Sequence, residues 1–197
     1  MDFVFATKNE GKLKEASAIL KAAGHSVISP TEAGVDLDIA ETGATFMENA
    51  LIKARAAARV SGRPALADDS GLEIDFLNNG PGVYSARYLG EETPYEIKNK
   101  KILEMMRDIP DGRRGARFVC AVAFADNNGC ELTANAVLEG SVAFKAAGGN
   151  GFGYDPIFYL PDYGATCAQL TDDIKNKISH RGKALRLMCE ILSKKFS

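Results

Sequence analysis

Short apolar runs and helix-spaced apolar positions alternate along this chain. Asp2–Ala6 has the look of a short, largely buried strand. It gives way to the polar stretch Thr7-Lys8-Asn9-Glu10-Gly11-Lys12, after which Leu13, Ala16, Leu20 and Ala23 recur at helical spacing. Gly24 suits the position just past a helix, and His25–Ser29 reads as a second strand. The loop Pro30–Gly43 carries four acids, Glu32, Asp36, Asp38 and Glu41. Thr45 and Glu48 have the spacing of a capping box, which predicts a helix through Ala50, Ala54 and Ala57 to about Val60. Gly62-Arg63-Pro64 breaks that helix. Ala65-Leu66-Ala67 then begins a strand expected to end in acid, at a sharp bend over Asp68-Asp69-Ser70-Gly71.

In the second half, Leu72–Phe76 is followed by a loop-like stretch from Asn78 to Glu92, long enough to suggest a functional or disordered loop. Thr93-Pro94-Tyr95-Glu96 predicts a second capping box and a helix with Ile102, Leu103 and Met106 on its inner side. Phe118–Ala125 and Cys130–Leu138 flank Asp126-Asn127-Asn128-Gly129, whose Asn-Gly is a strong hairpin signal, and Glu139–Val142 leads into a further strand. A hairpin makes the sheet mixed rather than purely parallel. Gly148–Pro156 sets four glycines around Phe152 and Tyr154. The last helix presents Ala184, Leu187, Met188 and Ile191 on one face. No internal repeat or low-complexity tract interrupts the pattern.

Composition narrows the function. With 24 Lys and Arg against 26 Asp and Glu, the net charge of −2 supplies no basic field for holding nucleic acid. The longest apolar runs fall well short of the ~20 residues that span a bilayer. The N-terminus lacks the basic start of a signal peptide, so a cytoplasmic protein is expected. Cys120, Cys130, Cys167 and Cys189 form no CxxC pair and read as reduced thiols rather than a zinc site.

Several stretches carry candidate chemistry, each with a plain structural alternative. Asp68 and Asp69 suit a hard cation such as Mg²⁺, and equally an acidic turn. The loop Thr7–Lys12 sits between a strand and a helix, where backbone N–H groups and the helix dipole attract an anion; simple capping by Thr7 or Asn9 is the alternative. Glu41 can be aimed at a metal from a helix N-terminus, or be one more solvated acid. Lys53 can reach a phosphate or only solvent. Arg113, Arg114 and Arg117 read as a solvated basic connector or as phosphate contacts. Phe152 can stack on a flat ligand or fill a core. Ser179-His180-Arg181 offers three donors ahead of a helix, or a cap with two exposed neighbours. His25 reads as a surface or edge residue.

Taken together, Thr7-x-Asn9-x-x-Lys12, Glu41-x-Gly43-x-Thr45-Phe46-x-Glu48-Asn49-Ala50, Ala67-Asp68-Asp69-Ser70-Gly71-Leu72, Phe152-Gly153-Tyr154-Asp155-Pro156 and Ser179-His180-Arg181 occur in this order. The chain resembles the inosine triphosphate pyrophosphatase family, also called the HAM1 or RdgB family, over residues 2 to 192. The resemblance implies an α/β fold, with an elongated mixed central sheet flanked by helices. It further implies a single domain of two lobes with a nucleotide cleft between them. It implies Mg²⁺-dependent hydrolysis of ITP, dITP and XTP to monophosphate and pyrophosphate by a homodimer. By motif position, Asp69 resembles the general base and a metal ligand, with Glu41 and Asp68 as further metal ligands. Thr7, Lys8, Asn9, Glu10, Gly11 and Lys12, with Lys53 and Lys175, resemble triphosphate contacts. Ser70, Phe152, Gly153, Tyr154, Asp155, His180 and Arg181 resemble nucleoside contacts. Arg181 has only donors, so it suits a 6-oxo purine and not adenine. A Maf-type nucleotide pyrophosphatase and a non-catalytic nucleotide-binding regulator are the rival readings.

Overall fold

The computed structural model describes residues 2–36 and 39–196, so Asp38, one of the four loop acids, lies outside the described residues. The chain forms β1 (Asp2–Phe5), α1 (Glu10–Ala22), β2 (Ser26–Ile28), α2 (Phe46–Ser61), β3 (Ala65–Ile74) and β4 (Gly80–Pro81). It continues through α3 (Tyr95–Met105), β5 (Gly115–Ala125), β6 (Glu131–Val142), β7 (Phe158–Leu160), β8 (Ala165–Thr166), α4 (Asp172–Ile178) and α5 (His180–Phe196). The strands make one mixed sheet in the order β2-β1-β3-β5-β6-β7-β8, with β4 paired to β3. β1 runs parallel to β2 and β3, while β7 is antiparallel to β6 and β8. The expected mixed α/β sheet with flanking helices is thus present. Its hairpin turn is held by Asp126, whose Oδ1 accepts the N–H groups of Asn128 and Cys130.

The residues divide into two compact units. The first takes the chain up to Ser70, Cys120–Ala136 and everything from Ser179. Its core sets Phe3, Phe5, Leu66, Cys120, Val122 and Phe124 against Ala16, Ile19 and Leu20 of α1 and Ala184, Leu185 and Met188 of α5. Leu66 belongs to this core, so in the part of β3 that lies in the first unit the even-numbered positions, Leu66, Asp68 and Ser70, point toward α1 and α5. The second unit, Gly71–Val119 and Val137–Ile178, packs Leu72, Ile74, Phe118, Leu138, Ile157 and Phe158 beneath Ile102 and Met106. Phe118 and Phe158 stack with centroids 4.3 Å apart. Each large apolar side chain enclosed in this way contributes about 1.5–3 kcal/mol.

Four expectations change. β3 does not end in a bend at the acids; it runs on to Ile74, so Asp68, Asp69, Ser70 and Gly71 are all extended strand. The flanking Leu66 and Leu72, both fully buried, show why: the apolar pattern continues past the acids on both sides. The capping box at Thr93 does not form. Pro94 is the N-cap of α3 and makes no side-chain cap, while the Thr93 hydroxyl donates to the Leu89 carbonyl. The stretch 78–92 is ordered by Ser85, which accepts the Leu72 N–H and donates to the Gly82 carbonyl. Arg114 and Arg117 are not a solvated connector. Arg114 is buried and donates to the carbonyls of Met106, Ile109, Val142 and Ala143, and Arg117 pairs with Glu73, Asp75 and Glu139.

Candidate active site

Successive side chains of a strand point to opposite faces, and this sends the two acids of β3 to different partners. Asp69 faces α2. There Asn49 and Lys53, one turn apart on the same side of the helix, both reach it: Asn49 Nδ2 donates to Asp69 Oδ2 at 3.0 Å and Lys53 Nζ lies 3.4 Å from Asp69 Oδ1. Lys53 Nζ also donates to Glu41 Oε1 at 2.6 Å, so one ammonium is shared by two carboxylates. The loop carrying Glu41 meets a helix held at its start by a complete capping box, Thr45 to Glu48, and closed by Gly62 at φ +70°. Burial pushes the Lys53 pKa down, but the charges of Asp69, Asp68 and Glu41 outweigh it and the net shift is upward. Burial raises the Asp69 pKa, and Glu41 adds to the rise against the pull of Lys53 and Lys12.

Among the described residues no group of three or more His, Cys, Asp or Glu is gathered for a metal. Mg²⁺ does not require one, because it keeps water ligands and takes substrate phosphate oxygens beside one or two carboxylates. Glu41 and Asp69 fit an ion of that kind.

Asp68 is not gathered with them. It lies on the face of α1 and α5, where its Oδ2 is 3.2 Å from Lys12 Nζ and 3.1 Å from Arg181 Nε, and accepts from the Ser70 hydroxyl. Its Oδ1 is buried with no hydrogen-bond partner among the described residues. Burial opposes ionisation of Asp68, but Lys12, Arg181 and Lys53 together hold its carboxyl well below the usual carboxylate range. Arg181 is equally committed: it donates through Nη1 to Glu15 and through Nη2 to Ser70. The expected reader of a purine edge is therefore a buried cation between Glu15 and Asp68. His180 and Arg181 stand in the first turn of α5 rather than ahead of it, with Ser179 accepting the Gly182 N–H.

The loop Thr7–Lys12 behaves as a cap and as an open site at once. Asn9 is the N-cap of α1 and accepts the Lys12 N–H at 3.0 Å, and Thr7 accepts the Asn9 N–H. Glu10, Gly11 and Lys12 form the first helical turn. A cavity of about 320 Å³ opens against Thr7, Lys8, Asn9 and Glu10. An anion placed there meets the positive end of a 13-residue helix.

The remaining candidates belong to the second unit. Asp155 Oδ2 accepts the Phe152 N–H at 2.8 Å and the Lys175 ammonium at 2.7 Å, and that ammonium lies 4.7 Å from the centroid of the Phe152 ring. Lys175, expected on a triphosphate, is buried with Asp155 and supports Phe152. Asn99 Nδ2 holds the same loop through the Gly153 carbonyl. Tyr154, expected on the nucleoside, is instead a core residue: its hydroxyl donates to the Ser85 carbonyl, and its ring meets Tyr95 edge to face. Phe152 lines a largely apolar cavity of about 460 Å³ together with Tyr95, Leu103 and Pro156.

A family model described as the Ham1 family matches residues 3–191. The chain belongs to the Ham1 family. It is 47% identical over 191 residues to a dITP/XTP pyrophosphatase of Photorhabdus laumondii, covering 96% of each chain. It is 45% identical over 191 residues to the dITP/XTP pyrophosphatase of Escherichia coli K12, again covering 96% of each. Among solved structures, a HAM1 protein from Coxiella burnetii superposes with a TM-score of 0.88 at 44% identity, over 98% of this chain and 99% of that one. The Staphylococcus aureus Ham1 protein gives 0.87 at 38% identity, over 99% of this chain and all of that one. Membership of the Ham1 family replaces the Maf-type alternative.

Three residues around the acids of the site carry no site role in the sequence reading: Glu15, Asn49, which appears there only as a motif position, and Cys120, which appears only as a reduced thiol. Two had a usable signal. Glu15 lies three positions after Lys12 and Asn49 four before Lys53, so each shares a helix face with a residue already chosen. Cys120, whose Sγ lies 3.9 Å from Asp68 Oδ2, comes from a strand distant in sequence and had none.

Proposed function

We propose that this protein hydrolyses non-standard purine nucleoside triphosphates, ITP, dITP and XTP, to the monophosphate and pyrophosphate, and so keeps the nucleotide pool clean. The observation that carries the reading is the group Glu41, Lys53 and Asp69, two carboxylates and one shared ammonium on one face of β3, in a chain of the Ham1 family. In the reaction a water oxygen bonds to the α-phosphorus while the bond to the bridging oxygen of the departing pyrophosphate breaks. Asp69 takes the water's proton. Glu41 and Asp69 are the residues that would hold Mg²⁺, which would supply positive charge against the phosphate oxygens.

The other roles follow from placement. Thr7, Lys8, Asn9, Glu10, Gly11 and Lys12 surround the phosphates with N–H groups and cations, and Lys53 adds its ammonium. Phe152 stacks on the base, with Gly153, Tyr154, Asp155 and Lys175 fixing the shape of its loop. Arg181 acts from behind by fixing Ser70 and Asp68, and His180 adds a polar group at the start of α5. The protein acts as a homodimer in the cytoplasm, and its net charge of −2 favours no nucleic-acid partner. Incubating the Asp69→Asn variant with ITP and Mg²⁺ tests the assignment. Retained ITP binding with pyrophosphate release lowered by at least about 10²-fold is expected, and turnover near that of the wild type removes Asp69 from its role.

A further inference from the structure

The loop that bears Glu41 and the strand that bears Asp69 are joined through one wholly buried side chain, Asn49. Its Oδ1 accepts the Gly43 N–H at 2.8 Å, and its Nδ2 donates to Asp69 Oδ2 at 3.0 Å. The two partners fix which end of the carboxamide is which, because an N–H can only donate and an ionised carboxylate can only accept. With Oδ2 held by Asn49, the other oxygen of Asp69 is the one directed at Lys53.

We propose that Asn49 is a positioning residue: it holds the Asp69 carboxylate in one rotation and ties it to the Glu41 loop, so that both acids meet one cation and one water in a fixed arrangement. The inference rests on the role given to Asp69 above. A second observation supports it independently. A Cβ built on Gly43 would stand 2.6 Å from Glu48 Cβ and 2.7 Å from Asn49 Oδ1, closer than side chains approach. Only glycine lets that backbone come near enough to give its N–H to Asn49. The first turn of α2 therefore orients the strand acid through Asn49 and anchors the Glu41 loop through the same side chain.

Two variants separate positioning from mere support. Asn49→Leu keeps most of the volume and removes both hydrogen bonds; Gly43→Ala leaves Asn49 in place and displaces the loop. For each, kcat and KM for ITP are measured with Mg²⁺, Mn²⁺ affinity is measured by electron paramagnetic resonance on nucleotide-free protein, and folding is checked by circular dichroism. Loss of an outer hydrogen-bond partner of a metal site costs about 10–100-fold in affinity or rate. The expected result is a fall of that size in kcat, KM within about threefold, and Mn²⁺ binding weakened about tenfold, in folded protein. Wild-type kcat and Mn²⁺ affinity in either folded variant would overturn the proposal, as would kcat and KM failing in proportion to lost fold. Should the wild type release no pyrophosphate from any purine triphosphate, the function reading fails by itself, and the Mn²⁺ affinities then decide the role of Asn49.

Discussion

The charge on Asp68 can be removed almost without changing its shape. In Asp68→Asn the amide oxygen keeps the position of Oδ2, where Arg181, Lys12 and Ser70 converge, and the amide nitrogen takes that of Oδ1, which has no partner among the described residues. Packing is preserved and the counter-charge is lost. Removing one member of a buried ion pair costs about 3–5 kcal/mol, because the other charge stays behind. Here Glu15 remains beside Arg181 and the Lys12 side chain is 15% exposed, so the lower end of about 3 kcal/mol is expected. For a chain of this size that lowers Tm by roughly 6–12 °C. The loss also depends on pH in a stated direction. The folded-state pKa of Asp68 lies below its ordinary value of 3.8, so its contribution is present above that value and fades as the pH falls toward the folded pKa. Wild type and variant should therefore converge in stability in strong acid and differ most near neutrality. Thermal and urea denaturation followed by circular dichroism at pH 7 and at pH 3 measure this. A Tm difference under about 2 °C at pH 7, or one that grows on acidification, refutes the account of Asp68 as an anchoring charge.

Further outcomes follow from the same geometry. Arg114→Met leaves the carbonyls of Met106, Ile109, Val142 and Ala143 without their donor, so a stability loss of about 3 kcal/mol or more is expected from urea titration, with Arg114→Lys recovering only part of it. Phe152→Ala should raise KM for ITP about tenfold while kcat changes little, because a stacking surface is lost and the acids are untouched. Lys53→Met should lower kcat by about 10²-fold in a steady-state assay, because it unbalances Glu41 and Asp69 together. Mild iodoacetamide should label Cys130, which is half-buried, ahead of Cys120, whose thiol is fully buried and pushed up by burial and by Asp68; peptide mass mapping reads the order.

Much of the frame was legible because it rests on local rules. Thr45 with Glu48 caps a helix wherever it occurs, Asn-Gly turns a hairpin, and the apolar period of α2 survives folding, whereas the inner faces of α1 and α5 shift to include Ile19, Leu185 and Leu192 and leave Ala23 and Leu187 exposed. The misreadings came where a local signal competed with a long-range one. Asp-Asp-Ser-Gly is good turn material, yet Leu66 and Leu72 on either side of it are drawn into the interior and pull the acids into an extended strand. That single difference changed the site, since an extended strand sends Asp68 and Asp69 to opposite faces and a turn does not. Arg181 and Lys175 illustrate a second limit. Arg181 offers donors for a purine edge and Lys175 a cation for a triphosphate, but the carboxylates that hold them, Glu15, Asp68 and Asp155, are brought in by tertiary packing. Lys12 and Glu15 on one helix face, and Asn49 and Lys53 on another, were readable from spacing alone.

The central claim is that the Asp69 face of β3 releases pyrophosphate from keto-purine triphosphates. It is tested most directly by incubating the purified wild-type protein with Mg²⁺ and, separately, ITP, dITP, XTP and ATP, and resolving the products by anion-exchange chromatography. The account predicts monophosphate and pyrophosphate in equal amounts from the first three, with little from ATP. Orthophosphate and a diphosphate as first products, or turnover of ATP as fast as that of ITP, would contradict it.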